Sequence, residues 1–434
     1  MEINKVNSDS SLSFISKASS IVFILTLSLF TFFLFTNNFF DPHFAGDESK
    51  YLSDLTNANK YGLGKAILDG ASITYLTISY YLNKLIQEPL YALKITSILS
   101  GTLMFLSLYF YNSKYLKIRG VLKKTLFLWI FYLFVIQTTF FAGVNDILLD
   151  LFGTLFLIVI SLPVKQKNTF RNAILLGFLI ALILGTRKMA LTYILTFWVI
   201  FIAFSITIKN NRIFNAKIGL IILLSFIAFF TLLNFYPLLH QKKFSFDDKV
   251  LKGTVNWAQW DYHNALLIDR GVQERFQHTN IPETQKFILE NGDNSLPSTF
   301  LEMIYFDPAL TFKEFFIDLF TSLKYIFRQT GFLALLFLFI LTSHVHRIFK
   351  TKTVLSSDFI YIFSATYLLL ISFIVITNIQ GRWFMFFLPM LILSVGKDLS
   401  QLKPQKQQLV IILNNVLLSI MCFPYLLNKL AFYF

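Results

Sequence analysis

The stretch Ser-Ser-Ile-Val-Phe-Ile-Leu-Thr-Leu-Ser-Leu-Phe-Thr-Phe-Phe-Leu-Phe-Thr, residues 19–36, contains no charged side chain. About 20 apolar residues in a helix are enough to cross the hydrocarbon core of a bilayer, so this stretch is predicted to span a membrane. Ten further apolar runs follow along the chain: Leu90–Tyr111, Thr125–Ala142, Ile147–Leu162, Ala173–Leu184, Ala190–Ile208, Ile218–Leu239, Gly331–Thr342, Phe359–Ile376, Trp383–Val395 and Leu409–Leu430. The sequence therefore predicts an all-α polytopic membrane protein of about eleven transmembrane helices.

The composition agrees with this fold class. Aromatic residues make up 18% of the chain and charged residues only 14%, which excludes an ordinary soluble domain. The formal net charge of +14 is explained by basic cytoplasmic loops, and we expect no nucleic-acid partner. Cys422 is the only cysteine, which excludes a disulfide within the chain and a zinc site built from several cysteines.

The links between the apolar runs alternate in charge, and this alternation predicts the topology. About 17 Lys and Arg residues lie in one set of links, against about 3 in the other short links, so the basic set is assigned to the cytoplasm. With a cytoplasmic N-terminus, the alternation holds only if Ala71–Ile86 does not cross the membrane. We therefore interpret Ala71–Ile86 as a helix that lies in the membrane interface.

This topology divides the chain into four regions. They are a cytoplasmic N-terminus (1–18), an N-terminal transmembrane region (19–239) with a first outer loop at 37–89, a large outer loop (240–330) and a C-terminal transmembrane region (331–434). An insertion as long as 240–330 is typically functional or folded in its own right. Within it, Thr311–Arg328 alternates apolar and charged residues at helical spacing and is predicted to be a helix along the membrane surface.

Two adjacent carboxylates, Asp47 and Glu48, follow the first predicted span closely. Acidic residues at the mouth of a membrane span are uncommon and often functional. We predict that Asp47 is a base that removes the proton from an acceptor hydroxyl, and Glu48 is the second candidate for this role. The pair can also ligate a divalent metal ion, or simply cap the helix that follows.

Other charged residues are predicted to lie on the same outer face. Arg187, Lys188 and Arg382 can neutralise a phosphate, Arg through a bidentate fork and Lys as a point charge. Asp146, at the mouth of another span, is predicted to orient a substrate hydroxyl or a lysine. Taken singly, each of these residues could be a helix cap or a snorkelling side chain. Together they indicate a site for an anionic ligand.

Several short segments bear a family resemblance: Gly46–Leu52, Ala58–Gly62, Leu93–Gly101, Asn145–Leu149, Gly185–Lys188, and Gly381–Trp383 with Pro389. They resemble the GT-C type of membrane-embedded glycosyltransferase, in the branch that contains protein O-mannosyltransferases and lipid A aminoarabinose transferases. Two features depart from that branch. Ala71-Ser72-Ile73-Thr74 stands where a proline pair is usual, and Trp383 stands where tyrosine is commoner.

The resemblance implies a GT-C-like fold and an inverting transfer of a sugar from a polyprenyl-phosphate-linked donor on the outer face. It also implies that Asp47 is the catalytic base and that basic residues hold the donor phosphate. The acceptor, a glycan, lipid or protein, is left open, and so is any metal cofactor. The alternatives are a flippase or transporter of lipid-linked glycans and a glycan polymerase or ligase. No endoplasmic-reticulum retention signal ends the chain, so we expect a bacterial inner membrane with a periplasmic site.

Overall fold

The computed structural model describes residues 3–40, 47–163, 166, 169–207, 216–247, 255–275, 279–374 and 379–433. Every regular secondary-structure element in these ranges is a helix. The α-helices are α1 (Ile3–Phe39), α2 (Asp47–Tyr61), α3 (Leu63–Leu68), α4 (Ile73–Ile86), α5 (Pro89–Tyr111), α6 (Gly120–Ile136), α7 (Asp146–Ile160), α8 (Phe170–Thr186), α9 (Leu191–Thr207), α10 (Ala216–Leu233), α11 (Phe235–Gln241), α12 (Trp257–Asp269), α13 (Ile281–Asn291), α14 (Phe300–Phe306), α15 (Pro308–Thr330), α16 (Leu333–Thr351), α17 (Ser356–Ile374), α18 (Leu388–Leu399) and α19 (Pro404–Tyr433). The prediction of an all-α protein is confirmed for the described part of the chain.

Several of these helices are long and apolar enough to cross a membrane. Five meet that condition by length and composition: Ser11–Phe39, Pro89–Leu116, Leu333–Thr351, Ser356–Ile374 and Pro404–Pro424. A sixth is obtained if Lys217–Leu233 and Phe235–Gln241, which meet at 64°, are one broken span. The chain is therefore an integral membrane protein. The figure of about eleven spans stays a prediction, because the other apolar helices are shorter.

Three of the apolar runs are not continuous α-helices. The run Thr125–Ala142 leaves the α-helix at Ile136 and continues as a short 3-10 turn at Thr138–Phe141. The run Ile218–Leu239 breaks at Asn234, whose side chain donates to Phe230 O at 3.1 Å and accepts from Ser245 N at 2.8 Å. A polar side chain that satisfies backbone groups off the helix axis stabilises such a break.

The third interrupted run is Trp383–Val395, whose first residues do not belong to an α-helix. The run Trp383–Val395 starts as a 3-10 turn, Gly381–Phe384, and becomes α18 only at Leu388. Pro389 lies in the first turn of α18, where a missing backbone N–H costs least.

The helices pack into one large apolar core. α1 lies along α19, α5 lies between α4 and α7, and α8 lies against α10. The last contact is close, since a Cβ atom added at Gly177 would lie 2.6 Å from Ile222 O. The first and last long helices of the chain are therefore neighbours, and the segments between them enclose the polar residues described below.

Two predicted helices of the outer segments are present. Ala71–Ile86 contains α4, and Thr311–Arg328 lies within α15. Their placement relative to a bilayer stays a prediction. The large loop also has a small apolar core of its own, formed by Ala258, Tyr262, Ala265, Leu296, Met303 and Leu310. Separate burial of apolar surface agrees with an insertion that folds as a compact unit.

Candidate functional site

Four charged residues that are distant in the sequence start or end helices at one place in the fold. Asp47 is the first residue of α2, and Asp146 is the first residue of α7. Arg187 directly follows the last residue of α8, and Arg382 lies in the Gly381–Phe384 turn. An acidic residue at a helix N-terminus and a basic residue at a C-terminus both interact favourably with the helix dipole. Local helix electrostatics therefore favours these residue types at Asp47, Asp146 and Arg187.

The four side chains form a connected cluster, here called the Asp47 cluster (Asp47, Asp146, Arg187, Arg382). Arg382 Nη1 lies 2.8 Å from Asp146 Oδ2 and 3.6 Å from Asp47 Oδ2. Arg187 Nη1 contacts the other oxygen of Asp146. Gln380 Oε1 accepts a 2.6 Å hydrogen bond from Arg382 Nε and fixes the plane of that guanidinium.

The cluster is charge-balanced and largely shielded from solvent. Asp146 and Arg187 are both buried, whereas the side chains of Asp47 and Arg382 are 21% and 23% exposed. Two carboxylates face two guanidinium groups, so the cluster as a whole offers no excess positive charge. The more exposed pair, Asp47 and Arg382, is the part that a ligand can reach.

Glu48 points to a different set of partners. Its Oε1 accepts a 2.6 Å hydrogen bond from the backbone N–H of Gly143 and lies 3.8 Å from the ammonium of Lys94. Lys94 is fully buried and also donates to Asn38 O and Phe39 O, at the end of α1. These bonds tie α1, α2, α5 and the segment before α7 together. Glu48 and Lys94 thus hold the start of α2 in place beneath Asp47.

The close approach at Gly143 depends on the absence of a side chain. A Cβ atom there would lie 2.7 Å from the Cβ of Leu93 and 3.0 Å from Glu48 Oε1. Glycine is needed at this position because the backbone itself meets the carboxylate.

Lys188 lies next to Arg187 but is exposed, in a 3-10 turn that precedes α9. Its ammonium lies 5.9 Å from the centre of the Phe246 ring. The predicted role of Lys188 in holding a phosphate stays a prediction, and the same is true of the roles predicted for Arg187 and Asp146. Of the predicted cations, Arg382 is the one whose guanidinium contacts Asp47.

Asp247 is a residue of this site that sequence reasoning missed. Its Oδ1 lies 2.8 Å from the Lys50 ammonium, and its Oδ2 accepts hydrogen bonds from Tyr51 Oη at 2.8 Å and from Asn145 Nδ2 at 3.1 Å. Burial raises the pKa of the Tyr51 phenol well above its usual value, and the charge of Asp247 raises it further. Tyr51 therefore stays protonated and donates.

One signal for Asp247 was present in the sequence. It is the first acidic residue after Asp150 in the chain, and it lies near the start of the long hydrophilic segment 240–330. In the fold, Asp247 joins that segment to one face of α2. This face carries Asp47 and also Lys50 and Tyr51, which follow Asp47 by three and four residues.

A cavity of about 240 Å³ lies beside the cluster. Its walls come from the end of α6, the last turns of α15 and the Gly381–Phe384 turn. The lining residues are Ile136, Gln137, Thr139, Tyr325, Arg328, Gln329, Gln380, Gly381 and Arg382. Arg382 therefore contacts the carboxylates on one side and lines the cavity on the other.

The donor set of the described residues does not form a metal centre. No group of three or more His, Cys, Asp or Glu side chains that could hold a metal ion occurs in the described ranges. Asp47 contacts the guanidinium of Arg382, and Glu48 contacts a lysine and a backbone N–H. In this arrangement both carboxylates are engaged by cations or donors of the chain itself.

Comparison of the chain with models of known protein families, with curated proteins and with solved structures finds no match. The chemistry of the site is therefore inferred from its own residues.

Proposed function

We propose that the protein is an integral-membrane glycosyltransferase that moves a sugar from a polyprenyl-phosphate-linked donor to an acceptor hydroxyl, with inversion at the sugar. One observation carries the proposal. A carboxylate, Asp47, lies 3.6 Å from a guanidinium, Arg382, that also lines a cavity. A base and a cation side by side at a cavity are what transfer from a phosphate leaving group requires.

The proposal includes the topology predicted from the sequence. About eleven segments cross the bilayer, the basic links face the cytoplasm, and the Asp47 cluster faces the periplasm of a bacterial inner membrane. The short helices α2, α3 and α4 then form the first outer loop. The polyprenyl chain of the donor enters sideways between membrane-spanning helices, which suits the phenylalanine-rich body of the protein.

In the proposed reaction, one carboxylate oxygen of Asp47 takes the proton of the acceptor hydroxyl as the hydroxyl oxygen attacks the anomeric carbon. The bond between the anomeric carbon and the phosphate oxygen breaks, and its electron pair leaves with the phosphate. Arg382 stabilises the negative charge that develops on the leaving group. In the proposed geometry the acceptor oxygen attacks the face of the anomeric carbon opposite the phosphate, so the configuration is inverted.

The burial of the remaining charges supports this division of roles. Asp146 is buried between Arg187 and Arg382 and fixes the position of the second guanidinium. A charge that is held by a buried partner needs little reorganisation when the transition state forms. In the proposal Asp146 and Arg187 are positioning residues, and Asp47 and Arg382 meet the substrates.

A transfer assay tests the proposal. Membranes that carry the wild-type protein, Asp47→Asn or the control Asp69→Asn receive a panel of radiolabelled sugars on polyprenyl monophosphate, and label is followed into lipid, protein and polysaccharide fractions. Asp69 is exposed in the same outer segment, just after α3, and so controls for loss of one negative charge. We expect label to move with the wild-type protein and the control and not with Asp47→Asn.

Two outcomes contradict the proposal. Full transfer by a folded Asp47→Asn protein removes Asp47 as the base. Absence of transfer from every donor, together with movement of the intact labelled lipid to the opposite leaflet, identifies a flippase instead.

A further inference from the structure

The cavity beside the Asp47 cluster differs from the cluster in its charge. Two guanidinium groups line it, those of Arg328 and Arg382, and none of its described lining residues is acidic. Gln137, Gln329 and Gln380 add amide groups to the wall. A cavity with cations, amides and no carboxylate is suited to an anion that also carries hydroxyl groups.

Arg328 supplies the uncompensated part of this charge. Arg328 lines the cavity and is an exposed residue, and no carboxylate in the described part of the chain forms an ion pair with it. By contrast, Arg187 and Arg382 are both engaged by Asp146. An incoming anion therefore gains most from Arg328, because that guanidinium does not have to leave a carboxylate first.

The amide of Gln329 is fixed at the cavity wall. Its Nε2 donates a 2.8 Å hydrogen bond to Gly381 O, and this contact is possible because a Cβ atom at Gly381 would lie only 2.5 Å from Gln329 Nε2. Gln329 is 5% exposed, and within the described ranges its Oε1 has no hydrogen-bond partner. A buried acceptor without a partner is costly, and a ligand hydroxyl would satisfy it.

We propose that this cavity binds the phosphate of a substrate headgroup, with Arg328 as the cation that recognises it and Gln329 accepting a hydrogen bond from a neighbouring hydroxyl. The proposal rests on the proposed function and adds a residue to it. Arg328 recognises the phosphate in place of Arg187 and Lys188, which the sequence predicted for this role, and Arg382 connects the bound phosphate to Asp47. Arginine is suited to this role because its fork donates two parallel hydrogen bonds to phosphate oxygens.

Direct binding to the full-length protein in detergent tests the site. The probes are farnesyl phosphate, farnesol and inorganic phosphate, titrated by calorimetry into the wild-type protein, Arg328→Gln, Arg328→Lys and the control Arg270→Gln. Arg270 is exposed at the end of α12 and is not among the residues that line the cavity. Substitution of the Arg328 side chain spares the backbone carbonyl that accepts from Tyr132 Oη, so the variants should fold, which their melting temperatures check.

We expect the wild-type protein and Arg270→Gln to bind farnesyl phosphate more tightly than farnesol. Arg328→Gln should weaken the binding of farnesyl phosphate by about 10- to 100-fold, the usual size of a lost charge-assisted hydrogen bond, and Arg328→Lys should restore part of it. Dependence on Arg328 for farnesyl phosphate alone identifies a lipid headgroup as the ligand. The same dependence for inorganic phosphate identifies free phosphate as a ligand of the site. Equal affinity of the wild-type and Arg328→Gln proteins overturns the site.

The same variants separate this proposal from the glycosyltransferase proposal. Arg328-dependent binding in a protein that transfers no sugar supports the phosphate site and removes the transferase. Sugar transfer by Arg328→Gln with an unchanged KM for the donor supports the transferase and removes the phosphate site.

Discussion

Two clusters of charged residues in the described part of this protein differ in what their arginines do. The first is the Asp47 cluster. The second, here called the His344 cluster, consists of His344, Arg347, Asp358 and Asp398. In the first, Arg382 contacts two carboxylates and also lines a cavity. In the second, His344 and Arg347 both contact Oδ1 of Asp358, and the backbone N–H of Leu355 donates to Oδ2 at 2.7 Å.

The two clusters lie at opposite ends of the same helices. α16 starts just after Gln329 at the cavity, and Arg347 lies fourteen residues beyond Leu333, about 21 Å along the helix axis. α17 returns from Asp358 towards the Gly381–Phe384 turn. The helices therefore connect the Asp47 cluster, which borders a cavity, with the His344 cluster, whose charged groups contact one another.

The comparison separates a cluster that borders a cavity from one whose contacts hold helices together. Asp358 Oδ1 joins α16 to α17 and its Oδ2 caps the first turn of α17, while Tyr361 and His344 extend the contacts to Asp398 on α18. Asp47 instead meets a partly exposed arginine at 3.6 Å, longer than a direct hydrogen bond. Arg382 also lines the cavity, so this contact lies where the cluster borders a space that a ligand can enter. The two clusters should therefore respond differently to substitution.

The largest effect is expected at Asp47. Asp47→Asn removes the base and should lower the transfer rate by about 10²- to 10⁴-fold, because this is the usual contribution of a positioned general base. The melting temperature in detergent should change little, since the Asp47 side chain is 21% exposed. A large loss of melting temperature would instead place Asp47 with the structural residues.

The neighbouring residue should show the opposite behaviour. Glu48→Gln can still accept from the Gly143 N–H, but it leaves the buried ammonium of Lys94 without its carboxylate. We expect a loss of about 3 kcal/mol in the free energy of unfolding, as for other buried pairs that lose one partner. Transfer per folded molecule should stay within about tenfold of wild type, below the effect of losing a general base. A loss of transfer with unchanged stability would make Glu48 the base.

Substitution in the His344 cluster should affect stability and leave the transfer chemistry intact. Asp358→Asn removes the charge that two cations share. We expect a loss of about 2 kcal/mol, less than for a fully buried pair because the Arg347 side chain is 35% exposed. Chemical or thermal unfolding in detergent measures it. If transfer fell while stability held, the distinction between the two clusters would be wrong.

The smallest effect is expected at Asp54, two turns beyond Asp47 on α2. Burial raises the pKa of Asp54 from 3.8 to about 6. The folded state thus holds this proton more tightly than the unfolded state, so this group makes the unfolding free energy fall as the pH rises from about 4 to about 6. Asp54→Asn should remove this part of the pH dependence, seen as a flatter curve of melting temperature against pH. An unchanged curve would mean that Asp54 does not titrate in this range.

The sequence predicted a substantial part of this architecture. Hydropathy identified the long helices, and the alternation of charged links placed Asp47, Asp146, Arg187 and Arg382 on one face, where the structure brings them into contact. Helix-terminal charges are visible in a sequence because they occur where the apolar pattern starts or stops. The number of spans stays a prediction, since several apolar runs form helices of only 12 to 17 residues.

Other features depend on contacts between distant segments. Asp247 meets Lys50 and Tyr51 across nearly 200 residues of chain, and no local pattern in either segment indicates the pairing. The cavity lies where α6 leaves its helical path at Ile136, inside a run that reads as continuously apolar. The separate contacts of Asp47 and Glu48 also required the fold, because adjacent residues of a helix point about 100° apart.

The buried lysine has a consequence for how opening of this region can be followed. Lys94 is 0% exposed and its ammonium is enclosed by Asn38 O, Phe39 O and Glu48. Amine-directed reagents acylate only an accessible, deprotonated amine, so Lys94 is masked from them whenever α1, α2 and α5 are closed. Local opening is the event that unmasks such a group, and its labelling rate then measures the free energy of that opening. The labelling rate of Lys94 thus measures how stably the region around Glu48 stays closed.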